Sequence, residues 1–168
     1  MTSDTRSSVV LAGLELTLDR RGKSEALYCV GRQTAIDMKV VAALRDRLRQ
    51  SPAGSLRICL HSDPAAPVHD MIIIHKRSVP APVHKHLSKE EAYQMIEGRM
   101  RLNYFDDAGR LLESIMLGEP GSGHAFLARV RANIWHTTVP ETEFAVFHES
   151  RPGPFDGGDS VFPDWEKR

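Results

Sequence analysis

The sequence is poor in features that would send a chain out of the cell or onto a membrane or nucleic acid. It has two cysteines, Cys29 and Cys59, each inside a strand-like apolar run. Two thiols make no disulfide framework, and they read as a reduced, structural pair in a cytoplasmic protein. No apolar run is long enough to span a bilayer, and Met71-Ile72-Ile73-Ile74 amounts to one buried strand. The stretch from Met1 to Ser8 is polar where a signal peptide needs an apolar core, and it is expected to lack fixed structure. An excess of either charge is missing too. Lys and Arg number 22 and so do Asp and Glu, so charge gives no argument for nucleic acid or an anionic membrane as partner. No repeat or low-complexity tract interrupts the chain. What is present is a hydrophobic content of 41% over 168 residues, enough for the core of one domain.

Leu14 to Asp19 alternates apolar and polar residues, and Ala26 to Val30 reads as a second strand across a turn at Asp19 to Lys23. The N-terminal end is therefore expected to form a hairpin. One helix follows, with Thr34 as cap, Asp37 in the first turn, and Ile36, Val40, Leu44 and Leu48 on one face. Ser51-Pro52-Ala53-Gly54 stops it. From Leu56 onward the chain becomes short strands separated by Pro, Gly and Asp clusters. They are Leu56 to Leu60, Val68 to His75, Tyr93 to Ile96, Met100 to Phe105, Leu111 to Leu117, Ala125 to Val130, Trp135 to Val139 and Phe144 to Glu149. Asp106 to Gly109 reads as a hairpin turn among them. This pattern predicts a mainly β protein with a closed or double-sheet antiparallel architecture. Residues 1–55 form strands and a helix packed on a barrel of residues 56–168, whose C-terminal end acts as a strap.

The chemistry concentrates in His84-Lys85-His86, followed by Glu90 and Glu91. Side chains alternate along a strand, so His84 and His86 share a face, about 6.6 Å apart along the backbone. Two imidazoles at that spacing can grip one ion if a carboxylate and a third nitrogen approach from neighbouring strands. Such ligands suit zinc, iron, manganese, copper or nickel. A His-x-His pair alone is weak evidence, and a basic loop tip is the plain alternative. Glu91 is preferred over Glu90 as the acid, because it shares strand parity with Tyr93 and Met95.

The spacing of the whole stretch resembles the first cupin motif. That motif is a glycine, five residues, His-x-His, three or four residues, Glu, six residues and a glycine. Here four residues separate His86 from Glu91 and six separate Glu91 from Gly98, while Ser78 stands in the place of the first glycine. The second motif is matched at His136 but not at its proline and glycine. Asn133 replaces that glycine, and asparagine tolerates a left-handed turn. Within cupins the chain resembles the WbuC-type metalloprotein family over roughly residues 26–168. The similar parts are the helix end at Ser51-Pro52, Arg57 to His61, Phe105 to Glu113, Ile134 to Thr137, Gly153 to Asp156 and Phe162 to Trp165. The resemblance implies a cupin double-stranded β-helix, a jelly-roll barrel, with an N-terminal helix and extra N-terminal strands. It implies one divalent transition metal (zinc, iron, manganese or nickel) held by His84, His86, Glu91 and His136. It also implies a setting in surface polysaccharide synthesis, without a settled reaction.

Three further residues are candidates for a small-molecule ligand. Tyr93 could line the cavity and donate a hydrogen bond, or simply pack in the barrel. Arg57 and His61 lie on the polar face of their strand and could address a carboxylate or phosphate, against the plain alternative of a solvated outer face. Trp135 should point away from His136 and pack. Trp165 and Phe155 are expected to strap the C-terminus, and His69, His75, His124 and His148 read as ordinary surface or core residues. Three functions stay open: a metal-dependent enzyme on a sugar, sugar nucleotide or small acid; an iron-dependent oxygenase; and a non-catalytic metal- or sugar-binding module. Exposed strand edges raise a homodimer, through the N-terminal hairpin or a sheet edge, as the assembly to test.

Overall fold

The computed structural model describes residues 7–20, 25–155 and 157–166. Its main sheet has eight strands in the order β1 (Ser7–Leu11), β2 (Leu14–Asp19), β3 (Glu25–Cys29), β4 (Ser55–Cys59), β5 (Val68–Lys76), β12 (Phe144–Pro152), β7 (Glu91–Glu97) and β10 (Leu127–Val130). A second sheet orders β11 (Trp135–Pro140), β8 (Arg99–Phe105) and β9 (Leu111–Gly118). A short pair joins β13 (Ser160–Val161) to β6 (Lys85–His86). Every pairing is antiparallel except β3 with β4. Closing β-structure on itself in two facing sheets covers apolar faces and most edges together.

Strand parity divides the main sheet into two faces. On one face Leu56, Ile58, Ile72 and Ile74 lie under Val40, Val41, Leu44 and Leu48 of the helix α1 (Met38–Arg49). The opposite face of the same strands carries Arg57, Cys59, Met71 and Ile73 toward the barrel interior. A second core of Tyr93, Met95, Met100, Leu102, Leu117, Val130, Ala145 and Phe147 fills the space between the sheets. The helix therefore does more than decorate the barrel. By covering the apolar parity of β4 and β5, it leaves their polar parity to line the inside.

Two local expectations are corrected, at Ser7–Ser8 and at the helix cap. Ser7 and Ser8 have fixed structure as the start of β1, while residues 1–6 lie outside the described residues. β1 turns into β2 through Ala12 and Gly13, both at positive φ (49° and 86°). Ala-Gly is not a strong hairpin signal, because alanine rarely takes that conformation, so the strand was hidden in the sequence. The turn expected at Asp19 to Lys23 falls largely on residues 21–24, outside the described residues, but the β2–β3 pairing it serves is present. The helix cap is Asp37 instead of Thr34. Its carboxylate accepts from the backbone N–H of Lys39 (2.9 Å) and Val40 (3.1 Å), satisfying two of the four orphan donors. Ile36 precedes the helix and still packs against the same core.

Candidate metal centre

Backbone pairing sets the first two histidines side by side. His84 and His136 exchange both hydrogen bonds, His84 N to His136 O at 3.0 Å and His136 N to His84 O at 2.9 Å. Residues directly opposite one another in an antiparallel pair share a face, so the two imidazoles meet with ring centroids 4.4 Å apart. His86 follows two positions on, its ring 5.1 Å from that of His84. The turn before β11 is held by Asn133, at φ 62°, whose N–H donates to His86 O at 2.6 Å. Asparagine thus takes the left-handed position expected of it. Glu91 opens β7 on the inward face it shares with Tyr93 and Met95. Gly98 ends that strand at φ +80°, where a Cβ would come within 2.5 Å of Phe144 O. The motif's last glycine is required by backbone, both for its φ and for this close approach.

One ligand atom from each of His84, His86, Glu91 and His136 lies within 4.8 Å of the others. His86, Glu91 and His136 are 4%, 3% and 1% exposed, so this is a dry centre, reached past the less buried His84. The Nδ1 atoms are occupied elsewhere. His84 Nδ1 is 3.1 Å from Pro82 O and His136 Nδ1 is 2.8 Å from Ile134 O. A carbonyl only accepts, so each Nδ1 carries its proton and Nε2 keeps a lone pair for the centre. His86 Nδ1 is 3.1 Å from Ser160 Oγ, and its Nε2 is 3.1 Å from Glu91 Oε2.

The donor set fits a divalent transition metal. His136 Nε2 is buried, lies 2.5 Å from Glu91 Oε1, and has no hydrogen-bond partner. An orphaned lone pair beside a carboxylate is costly unless a cation lies between them. Burial alone would raise the Glu91 carboxyl, but its contacts with His136 and His86 hold it well below the usual range. Burial, together with the neighbouring His136, pushes His84 down to about 4. These two shifts favour the forms that bind metal, a carboxylate and a neutral imidazole, whereas Glu91 outweighs burial and raises His136, which would give up its proton to a bound ion. Tyr93 Oη donates to Glu91 Oε1 at 2.5 Å, and its ring stands edge-on to Phe147 with centroids 5.7 Å apart. The tyrosine lines the cavity and packs in the core, with its hydroxyl on Glu91.

Other residues sort clearly. Glu90 points outward and pairs with Arg129, leaving Glu91 as the acid at the centre. Trp135 packs edge-on to Trp165 and donates to Asp107 Oδ1 at 2.8 Å, away from the side of β11 that carries the His136 ring. Trp165 covers Gly109 and Phe105, whereas Phe155 is 55% exposed beside a second cavity. Arg57 faces the cavity lined by His84, His86 and Glu91, not an outer solvated surface. His61 does not reach that cavity. It stacks on His69 with centroids 4.1 Å apart in the adjoining one.

Sequence reasoning missed Glu149, Arg151, Asp159 and Ser160. Glu149 and Arg151 face inward from β12. Desolvation, and then the charge of Glu91, push the Glu149 carboxyl up to about 7. Arg151 lies against the His86 ring and 3.7 Å from Asp159 Oδ2. Only the strand parity of β12 could have pointed to the first two, and nothing near Asp159 announces that it folds back onto His86.

His75 also lines the cavity, and burial lowers it to about 4. The unfolded chain takes up that proton at about pH 6.5 and the native one only near pH 4. Its contribution to stability is present above about pH 6.5 and is lost as pH falls through 4, by at most about 3 kcal/mol. Denaturant titrations at about pH 7 and about pH 4.5 should show His75→Gln losing less stability than the parent between the two. Equal losses would remove this contribution.

Comparisons place the fold. A family profile described as a domain of unknown function (DUF6016) matches residues 36–117, slightly less than half of the chain. No curated protein matches the sequence. Among solved structures, protein SO0799 of Shewanella oneidensis is similar at 12% identity, over 66% of this chain and 75% of that one, with a TM-score of 0.54. An oxalate decarboxylase of Bacillus subtilis, studied for its Mn(II) centres, is similar at 14% identity over 67% of this chain, with a TM-score of 0.51. CapF, solved with the inhibitor 3-isopropenyl-tropolone, is similar at 14% identity over 59% of this chain, with a TM-score of 0.51. This chain spans 29% of the length of each of the last two. The fold is a cupin. At these identities the likeness establishes the cupin architecture and leaves the chemistry to the residues themselves.

Proposed function

We propose that this cupin is a metalloprotein holding one divalent transition ion through His84, His86, Glu91 and His136, and that it acts on a small molecule admitted to the adjoining cavity. The observation that carries the reading is the convergence of four ligand atoms within 4.8 Å, three of them on imidazoles and three of the four residues buried, with His136 Nε2 lacking a hydrogen-bond partner. A bound ion would supply Lewis acidity toward an oxygen of the ligand. The chain supplies the rest. Tyr93 Oη steadies Glu91, Arg151 and Ser160 hold the His86 ring, and Glu149, at about 7, can give or take a proton at its carboxyl oxygen near neutral pH.

The cavity bears on the substrate. Its volume is about 160 Å³, comparable to an engineered cavity of about 150 Å³ that holds benzene. That favours a small acid or a sugar-sized compound over an enclosed sugar nucleotide. Membership of the WbuC-type family, and a role in surface polysaccharide metabolism, are supported by the stretches quoted above. A cytoplasmic location rests on the two free, buried cysteines. A homodimer is supported by the terminal position of β1 in its sheet, where Val10 is 65% exposed. Among the described residues no helix is long and apolar enough to cross a membrane.

Metal analysis of protein purified without a nickel column tests the reading. About one equivalent of a transition metal per chain is expected. Bound iron that forms a nitric oxide complex would favour the oxygenase alternative. Tightly held zinc without exchangeable water would favour the non-catalytic one. Protein that stays metal-free after incubation with each ion would end the proposal.

A further inference from the structure

Two cavities share one wall inside the barrel. The first is lined by His84, His86 and Glu91, three of the four candidate ligands. The second, about 140 Å³, lies beyond Arg57, Ile73, Glu149 and Arg151 and runs to Tyr28, Met71 and Phe155. The shared wall carries the charge. Arg151 is paired with Asp159 and packed on His86. Arg57 is different: among the described residues no carboxylate lies within 4.0 Å of its guanidinium. Glu149 likewise has neither a hydrogen bond nor an ion pair among the described residues.

A guanidinium facing a cavity inside a barrel is costly without an anion, and its planar fork matches a carboxylate. A carboxyl group left open in the same wall is satisfied by a hydroxyl. The two groups thus ask for different ends of one molecule. Size limits it further: if about 150 Å³ holds a six-carbon ring, the two lobes together hold roughly a dozen non-hydrogen atoms.

We propose that the two-lobed cavity takes a small hydroxy acid, its carboxylate on Arg57, its hydroxyl at Glu149, and its tail in the lobe between Tyr28 and Phe155. The inference rests on the metalloprotein reading only in that the occupant lies beside the four ligands, and it deepens that reading by naming the substrate class.

Calorimetric titration of the metal-loaded full chain tests it with three molecules of nearly one size. Lactate has both groups, propionate lacks the hydroxyl, and lactamide lacks the charge. Lactate is expected to bind most tightly. Arg57→Gln should weaken lactate by about tenfold or more and erase its advantage over lactamide, and Arg57→Lys should restore part of that advantage. Glu149→Gln should narrow the gap between lactate and propionate and leave the preference over lactamide. Mandelate, whose ring reaches the second lobe, should bind more tightly than lactate. Metal content is measured on the same samples, so loss of metal from the parent is a failure of the metal reading. With metal retained, failure of lactate and mandelate to bind, equal binding of lactate and lactamide, or an unchanged affinity in Arg57→Gln overturns the proposal.

Discussion

His136→Ala should empty the metal site and leave the barrel folded. Outer partners of metal ligands alone are worth about 10–100-fold in affinity, so removing a ligand should cost at least about 100-fold. The fold should survive because β11 is held by backbone. Its residues Trp135 to Pro140 pair in unbroken register with Phe105 to Met100 of β8, and the exchange with His84 also uses only main-chain atoms. Glu90→Ala makes the matched control. Glu90 is adjacent in sequence to a candidate ligand, but it faces Arg129 and should have no effect on metal. Metal content after dialysis, read with the far-ultraviolet circular dichroism spectrum, separates the outcomes. Full occupancy in His136→Ala would remove that histidine from the ligand set.

Phe147→Ala should be the most destabilising single truncation near the site. Phe147 is 2% exposed and belongs to the core between the sheets. Its ring supports Tyr93 on one side and His75, at 6.3 Å, on the other. Phe→Ala changes in a close-packed core cost about 3–5 kcal/mol, through lost transfer energy and the cavity left behind. For a domain of this size that is a fall in melting temperature of about 10 °C. Tyr93 would lose its edge contact and hold Glu91 less firmly, so metal affinity should fall modestly with stability. A variant within about 1 kcal/mol of the parent in denaturant titrations would show that the core collapses around the gap.

Much of the site was legible because it is written along short, continuous stretches. His84, His86, Glu91 and Gly98 lie on a strand, a reversal and a strand, and each spacing has a backbone cause: alternation, the entry to β7, and a positive φ hard against Phe144. Asn133 was readable for the same reason, since its φ of 62° is a conformation asparagine tolerates. The strands from Leu56 onward were legible from alternation, and α1 from its four-residue apolar recurrence. Which face of a strand lies inside a closed barrel is not written locally. Arg57 reads as an outer-face residue because it alternates with Leu56 and Ile58, yet those two are covered by α1 and the arginine faces the cavity. Glu149 and Arg151 were hidden by the same ambiguity on β12. Asp159 and Ser160 reach His86 only because β13 pairs with β6 across the whole barrel sequence, a contact no local pattern encodes.

The most direct measurement is an anomalous difference map from crystals of the metal-loaded protein, collected at the absorption edge of the ion found by metal analysis. One peak is expected within bonding distance, about 2.0–2.2 Å, of His84, His86, Glu91 and His136 together. A peak elsewhere, or four side chains turned apart around no common centre, would contradict the metal site.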